Sequence, residues 1–338
     1  MLGLLGLSLM GCSNAPPMAN LEPELWQAYR QAFVHEDGRV IDVGNGGVSH
    51  TEGQGYGMLL AVAANDRAAF DQMWDWTREH LRRKSDPFFS FRWDERKAPP
   101  IADVNNASDG DLLIAWALAR ADRRWHVEAY KQASLTLATA IRARLLRANA
   151  LGLLLLPGME GFEHPGYVIV NPSYWIFPAF RELNAIDPSP QWDELENSGL
   201  ELLARARFGN AGLPPDWAHV TRRGVVELGA EDFSRFSFDA VRVPLYSCWA
   251  GVEDRALLEN IAAQWSDPKQ PAWVNLKTGQ TAPYSLSPTQ TVMNSILLRC
   301  LGRTEAAKAA PSPLVIPNDY YASTLALLGE LALKERKP

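Results

Sequence analysis

The sequence predicts an all-α fold of the (α/α)6 barrel type, a closed ring of paired helices. Three observations carry that expectation. About a dozen helical segments follow one another in pairs. Several are apolar on most faces, as helices of an inner ring must be. Polar residues concentrate at helix starts and in the loops before them, where they would edge a groove at one end. An open superhelix of the same hairpins is the competing arrangement. No pair repeats the sequence of another, so a solenoid array is not indicated. No long polar linker follows residue 20, so residues 21–338 read as one domain.

Taken in order, Glu24–His35 carries Leu25, Tyr29, Ala32 and Phe33 at helical spacing. Gly38 and the cluster Gly44-Asn45-Gly46-Gly47 then mark a loop. Glu52–Ala64 and Arg67–Arg83 form the next pair, the latter with Phe70, Met73, Trp74 and Leu81 on one side. Phe89, Phe91 and Trp93 alternate with Ser90 and Arg92, as in a short strand. Asp109–Ala121 is apolar enough to be buried on most faces, and Trp125–Arg147 follows it. Asn171-Pro172-Ser173 reads as the start of another helix, and Trp192–Ala206 as its successor. Trp217–Thr221 and Val225–Leu228, joined across Arg222-Arg223-Gly224, read as a hairpin. Phe238–Ala250 with Asp254–Trp265, then Pro288–Leu301 with Asp319–Leu333, complete the set.

The N-terminus has its own logic. Met1 to Met10 is almost wholly apolar, too short to span a membrane but long enough for a signal-peptide core. Leu9-Met10-Gly11-Cys12 resembles a bacterial lipobox, although no Lys or Arg precedes the apolar run. Residues 1–20 are therefore expected to be a signal peptide and short tether. Export to the periplasm is expected, with lipid attachment at Cys12 as a further expectation. Cys248 and Cys300 are the other two cysteines. Both lie in apolar helical contexts and read as buried free thiols, with a disulfide as the alternative.

Composition narrows the ligand. The chain has 47% hydrophobic residues, 12 Trp, 9 Tyr, 12 Phe and a net charge of −6. It has no Lys/Arg block, so nucleic acid is not an expected partner. An aromatic-rich, mildly acidic chain suits a neutral ligand such as a sugar. The six His show no metal-ligand spacing, and neither a metal nor a cofactor is expected.

The most informative stretch is Ser49-His50-Thr51-Glu52-Gly53-Gln54-Gly55-Tyr56-Gly57. A carboxylate among glycines at a helix start suggests a catalytic acid on a floor kept low for a ligand. Alone, the plainer reading is an ordinary helix start, where acidic residues are favoured. Three further acidic starts compare with it. In Asn105-Asn106-Ala107-Ser108-Asp109-Gly110-Asp111, Ser108 suits an N-cap, and Asp109 is a better ligand-facing candidate than Asp111. Asp239 and Arg242 are three apart and share a helix face. Asp319 reads as a cap. Hydrolysis of a glycosidic bond needs two carboxyl groups across it, and a sugar groove needs flat apolar faces. Tyr56, Trp93, Tyr174, Trp175 and Trp217 lie near these loops.

Four ordered segments, Thr51–Gly57, Ala107–Leu112, Asn171–Tyr174 and Phe238–Val243, together resemble glycoside hydrolase family 8. Within it the chain is most similar to the periplasmic endoglucanases encoded with bacterial cellulose synthase. The resemblance implies an (α/α)6 barrel and inverting hydrolysis of β-1,4-glucan. It implies Glu52 as proton donor, Asp239 as general base and Asp109 as a residue holding the sugar and the attacking water. It implies Tyr174 and Arg242 as supports of the same subsite, and nascent cellulose and its secretion machinery as partners. Chitosanase, mixed-linkage β-glucanase and xylanase are the alternative specificities, and a non-catalytic glycan-binding protein is the alternative class. On this reading Glu52 must stay protonated at a helix end that favours its anion, which burial and Asp109 have to outweigh.

Overall fold

A computed structural model describes residues 18–230, 233–252, 254–303 and 314–336. Residues 1–17, on which the expected signal peptide and Cys12 fall, lie outside them. Eleven α-helices occur among the described residues. They are α1 (Pro23–Phe33), α2 (Thr51–Ala63), α3 (Arg67–His80), α4 (Ser108–Trp125), α5 (Glu128–Arg144) and α6 (Phe177–Ile186). After these come α7 (Pro190–Arg205), α8 (Val243–Ala250), α9 (Arg255–Gln264), α10 (Pro288–Cys300) and α11 (Tyr320–Glu335).

The burial pattern divides them as an inner and an outer set. All of α2 but Glu52 is buried, as is α4 from Ser108 to Ala121. In α8, Val243 to Trp249 are buried. Outer helices bury one stripe, as α3 does with Ala69, Phe70, Met73, Trp76 and Thr77. Contacts run α2–α4–α6–α8, then α8 to α10 and α11, and α11 returns to α2. That return closes the ring and disposes of the open superhelix.

Glycines set the closeness of the ring. A Cβ on Gly55 would lie 2.5 Å from that of Leu113 on α4, and one on Gly57 would lie 2.7 Å from Val40. A Cβ on Gly53 would meet the Tyr320 hydroxyl at 2.9 Å. These glycines serve helix packing. The expectation that they floor a sugar site is corrected. Gln54 fastens the same turn: its Oε1 accepts from Val40 N at 2.6 Å, and its Nε2 donates to Gly38 O, Met73 O and Thr77 Oγ1.

Strand is confined to the connections. β1 (Ser49–His50) pairs with β2 (Arg92–Trp93), so the expected strand after α3 is shorter than its alternation suggested. β3 (Leu146–Asn149) pairs with β4 (Gly152–Leu155), and α5 accordingly stops at Arg144. β5 (Tyr167–Val170) joins the expected hairpin, β6 (Ala218–Thr221) and β7 (Val226–Leu228), as a third strand. β8 (Arg235–Phe236) pairs with β9 (Val274–Asn275).

Three local expectations are corrected. Asn171-Pro172-Ser173 opens a 3-10 turn, Pro172–Tyr174, and Trp175 and Ile176 leave the helical region before α6 begins. The cause is the Asn171 side chain, which accepts from Ser173 N at 3.0 Å and closes a turn of its own. Ser108 is the first residue of α4 rather than its cap, and its hydroxyl is buried without a partner. Cys248 and Cys300 are disulfide-bonded, tying α8 to α10 with Cα atoms 6.0 Å apart.

Candidate active site

The inner helices begin at one mouth, and their first residues line a cleft of about 750 Å³. Glu52 comes from the first turn of α2, Asp239 and Arg242 from the 3-10 turn before α8, and Tyr320 and Tyr321 from the start of α11. Asp109 stands in the first turn of α4 behind them.

Arg242 organises the centre. Its side chain is 3% exposed. Nη1 donates to Glu52 Oε1 and lies 3.3 Å from Asp109 Oδ2, while Nη2 donates to Asp239 Oδ1 at 2.6 Å and to Ser173 Oγ at 2.9 Å. The three carboxylates singled out in the sequence are thus gathered on one guanidinium. A planar fork can serve several oxygens at once where an ammonium is a point charge. Tyr174 lies under it, with the guanidinium carbon 5.6 Å from the ring centre.

Each carboxylate has its own surroundings. Glu52 Oε1 also accepts from the Tyr56 hydroxyl at 3.0 Å, and that hydroxyl meets Tyr246 at 2.6 Å. Glu52 Oε2 lies 3.9 Å from His50 Nδ1. Asp109 is buried, and its Oδ1 accepts from Gly110 N at 2.8 Å. Burial, then the Glu52 charge, push the Asp109 carboxyl up to about 7 against the pull of Arg242. Asp239 is raised too, by desolvation first, against Arg242, and by the Glu52 charge. Its Oδ2 accepts from the Trp217 indole N–H at 3.1 Å.

Two of the aromatic residues expected near the groove, Tyr56 and Trp175, are buried in the core. Tyr56 is 1% exposed, so its ring packs in the core while its hydroxyl supports Glu52. Trp175 is buried, with its indole N–H on Leu195 O. Trp93 is half-buried, edge-on to Trp76 and covered by Arg39 at 4.8 Å. Trp217 stacks on Phe162, with Tyr174 and Phe233 at its edges. The exposed apolar side chains at this mouth include Phe238, which lines the cleft, and Phe233.

The structure adds residues that sequence reasoning passed over. His50 is the cap of α2: its Nδ1 accepts from Gly53 N at 3.0 Å, while its Nε2 faces Asp42 Oδ2 at 3.2 Å. Burial opposes a charge there, yet the Asp42 hydrogen bond and the Glu52 charge raise its pKa. Asp216 lines the cleft beside Asp239 and is pushed well up by burial and by the Asp239 charge. Only His50 had a local signal, standing one residue before a helix start. Asp111 is buried under the site and bonded to Phe89 N and Asn106 Nδ2, a support for the loops rather than a ligand. Asp319 caps α11 through Ala322 N, as expected.

Two acidic groups in an open cleft, with a fixed cation between them, are the equipment for acid–base hydrolysis. Comparison with known proteins agrees. The model for "Glycosyl hydrolases family 8" matches residues 4–335. The endoglucanase of Cellulomonas uda is 42% identical over 268 residues, covering 78% of this chain and 74% of that one. The probable endoglucanase of Novacetimonas hansenii is 36% identical over 325 residues, covering 95% and 93%. The structure of endo-β-1,4-glucanase CMCax from Acetobacter xylinum superposes with a TM-score of 0.85 at 36% identity, covering 93% and 98%.

Proposed function

This chain belongs to glycosyl hydrolases family 8, and from that premise we propose that it is an endo-β-1,4-glucanase. It is an inverting glycoside hydrolase. A glucan chain lies along the cleft. Glu52 gives its proton to the glycosidic oxygen. Asp239 takes a proton from a water that attacks the anomeric carbon from the opposite face. Arg242 holds both carboxylates in place, and Asp109 beside it holds sugar and water at the cleavage point. The observation that carries this reading is the single guanidinium shared by Glu52 and Asp239.

A chitosanase would use extra carboxylates to bind a cationic polymer. Asp42, Asp216 and Asp319 do line the cleft, but all three are already engaged, Asp319 through Ala322 N. Asp42 accepts from Asn45 N and faces His50, and Asp216 accepts from Ser237 N and Ala240 N. The neutral glucan is therefore the better match. Export is supported by the Cys248–Cys300 disulfide, which belongs to an oxidising compartment. A lipid anchor at Cys12 and action on nascent cellulose beside its secretion machinery complete the proposal, on the lipobox-like segment and the family resemblance.

The test is hydrolysis of carboxymethylcellulose, chitosan and xylan side by side. Carboxymethylcellulose should be the preferred substrate, and its first-formed reducing ends should be α by NMR. Glu52→Gln should lose about 10²–10⁴-fold in turnover while still binding glucan. A variant that keeps most of its activity overturns the assignment.

A further inference from the structure

We propose that Asp216 and Trp217 form a positioning pair for Asp239, one holding its backbone and the other its carboxylate. The proposal rests on the reading of Asp239 as the base.

The geometry is specific. Asp216 Oδ1 accepts from Ser237 N at 3.0 Å and from Ala240 N at 2.8 Å. Those two amides bracket Asp239, so a single oxygen fixes the turn that carries it. Asp216 is itself anchored, donating its own N–H to Arg235 O at 2.6 Å. The next residue, Trp217, donates Nε1–H to Asp239 Oδ2 at 3.1 Å. Its ring is held by Phe162, stacked at 5.9 Å with 4° between planes. Tyr174 and Phe233 close its edges at 5.9 and 6.2 Å. A dipeptide before β6 thus reaches across 22 residues of chain to fix the rotamer of one carboxylate.

The chemistry explains why these two residue types suit the task. Arg242 already holds the other oxygen, Oδ1, at 2.6 Å. A second cation on Oδ2 would stabilise the anion and weaken the base. An indole N–H is neutral and does not titrate, so it orients the carboxylate while lowering its basicity less than a second cation would. With both oxygens tethered, the plane of the carboxylate is fixed relative to the cleft. Fixing a reacting group in this way is what positioning contributes to rate. The charged or titratable groups facing Asp239 are Arg242, Glu52, Asp109, Asp216, Tyr174 and Tyr321.

Trp217→Phe keeps a smaller aromatic ring in place and removes the donor. We expect kcat to fall about tenfold or more with KM changed less than about twofold. The acid limb of kcat/KM should move to higher pH, because a hydrogen bond to the anion has been lost. A sugar platform would instead show a raised KM with kcat and pH profile intact, and that result overturns the proposal. Asp216→Ala releases the turn, whereas Asp216→Asn retains an acceptor for both amides. The Asn variant should recover at least about tenfold of the kcat lost by the Ala variant. An Asn variant as inactive as the Ala variant, or an Ala variant as active as the parent, overturns it. Should Asp216→Ala not fold, Trp217→Phe decides alone. Asp239→Asn separates the two readings. If it stays active, the base assignment fails. If it is dead while Trp217→Phe keeps its kcat, only the positioning pair fails.

Discussion

Arg242 Nη2 lies 2.6 Å from Asp239 Oδ1, three residues back along the same turn, in a cleft where its other terminal nitrogen is committed to Glu52. The proposed acid and base are therefore registered against each other through one planar group. Arg242→Lys keeps the charge but cannot reach both. We expect kcat to fall at least about tenfold, in line with losing a hydrogen bond to a charged group worth about 1.5–3 kcal/mol. Arg242→Met removes the cation from a buried cluster and should cost about 3–5 kcal/mol in urea unfolding.

Gly110 is where α4 meets the first turn of α2. A Cβ there would lie 2.9 Å from Glu52 N and collide with Thr51. Gly110→Ala should destabilise by about 1–3 kcal/mol, the usual cost of overpacking. It should also lower kcat more than it raises KM, because the displaced turn carries the proposed acid, Glu52. Gly302→Ala is a poor control, since Gly302 has a φ of +77°. Gly166→Ala, where a Cβ meets nothing within 4 Å, is the better one.

Buried carboxyls give stability a pH dependence of known sign. Burial pushes Asp109 up to about 7 and Asp111 up to about 8, both from an ordinary value of 3.8. Between those values and 3.8 the folded state binds more protons than the unfolded one, so stability falls as pH rises through that window. His50 acts in the same direction, since its raised pKa supplies stability that is lost as pH rises through it. Melting temperature should therefore decline from pH 5 to pH 8.5. Asp109→Asn should flatten the decline. A melting temperature that rises steadily across this range would count against the buried protonated carboxyls.

The Cys248–Cys300 bond spans 52 residues. A loop of that size predicts about 4 kcal/mol of stabilisation. Reduction, or Cys300→Ser, should lower the unfolding midpoint accordingly. Turnover at moderate temperature should be largely kept, because Cys248 stands six residues beyond Arg242 on α8, away from the cleft mouth. Urea titrations with and without reductant measure it.

The legible part of the site was local. Glu52, Asp109 and Asp239 each stand at a helix start beside glycine, amide or arginine, and neighbouring residues announced them. The ring was legible because α2 and α4 are apolar on all sides. What could not be read was partnership across the chain. Asp216 grips amides 21 and 24 residues away, and Cys248 finds Cys300 from another helix. Tyr56 stands four residues after Glu52 in the most informative stretch, yet helical phase turns its ring into the core. The glycines of Thr51–Gly57 were noticed for the right reason, close approach. The approaching body, however, is protein: the neighbouring helix α4, Val40 and the Tyr320 hydroxyl.

The sharing of Arg242 has a kinetic consequence. Three carboxylates around one immovable cation do not lose protons one by one as independent groups. Removing a proton from any of them alters the field felt by the other two. The two arms of a bell-shaped pH–rate curve then belong to the ensemble of protonation states, not to a named acid and a named base. Replacing Asp109 by Asn, which leaves the proposed acid and base in place, should displace both arms together.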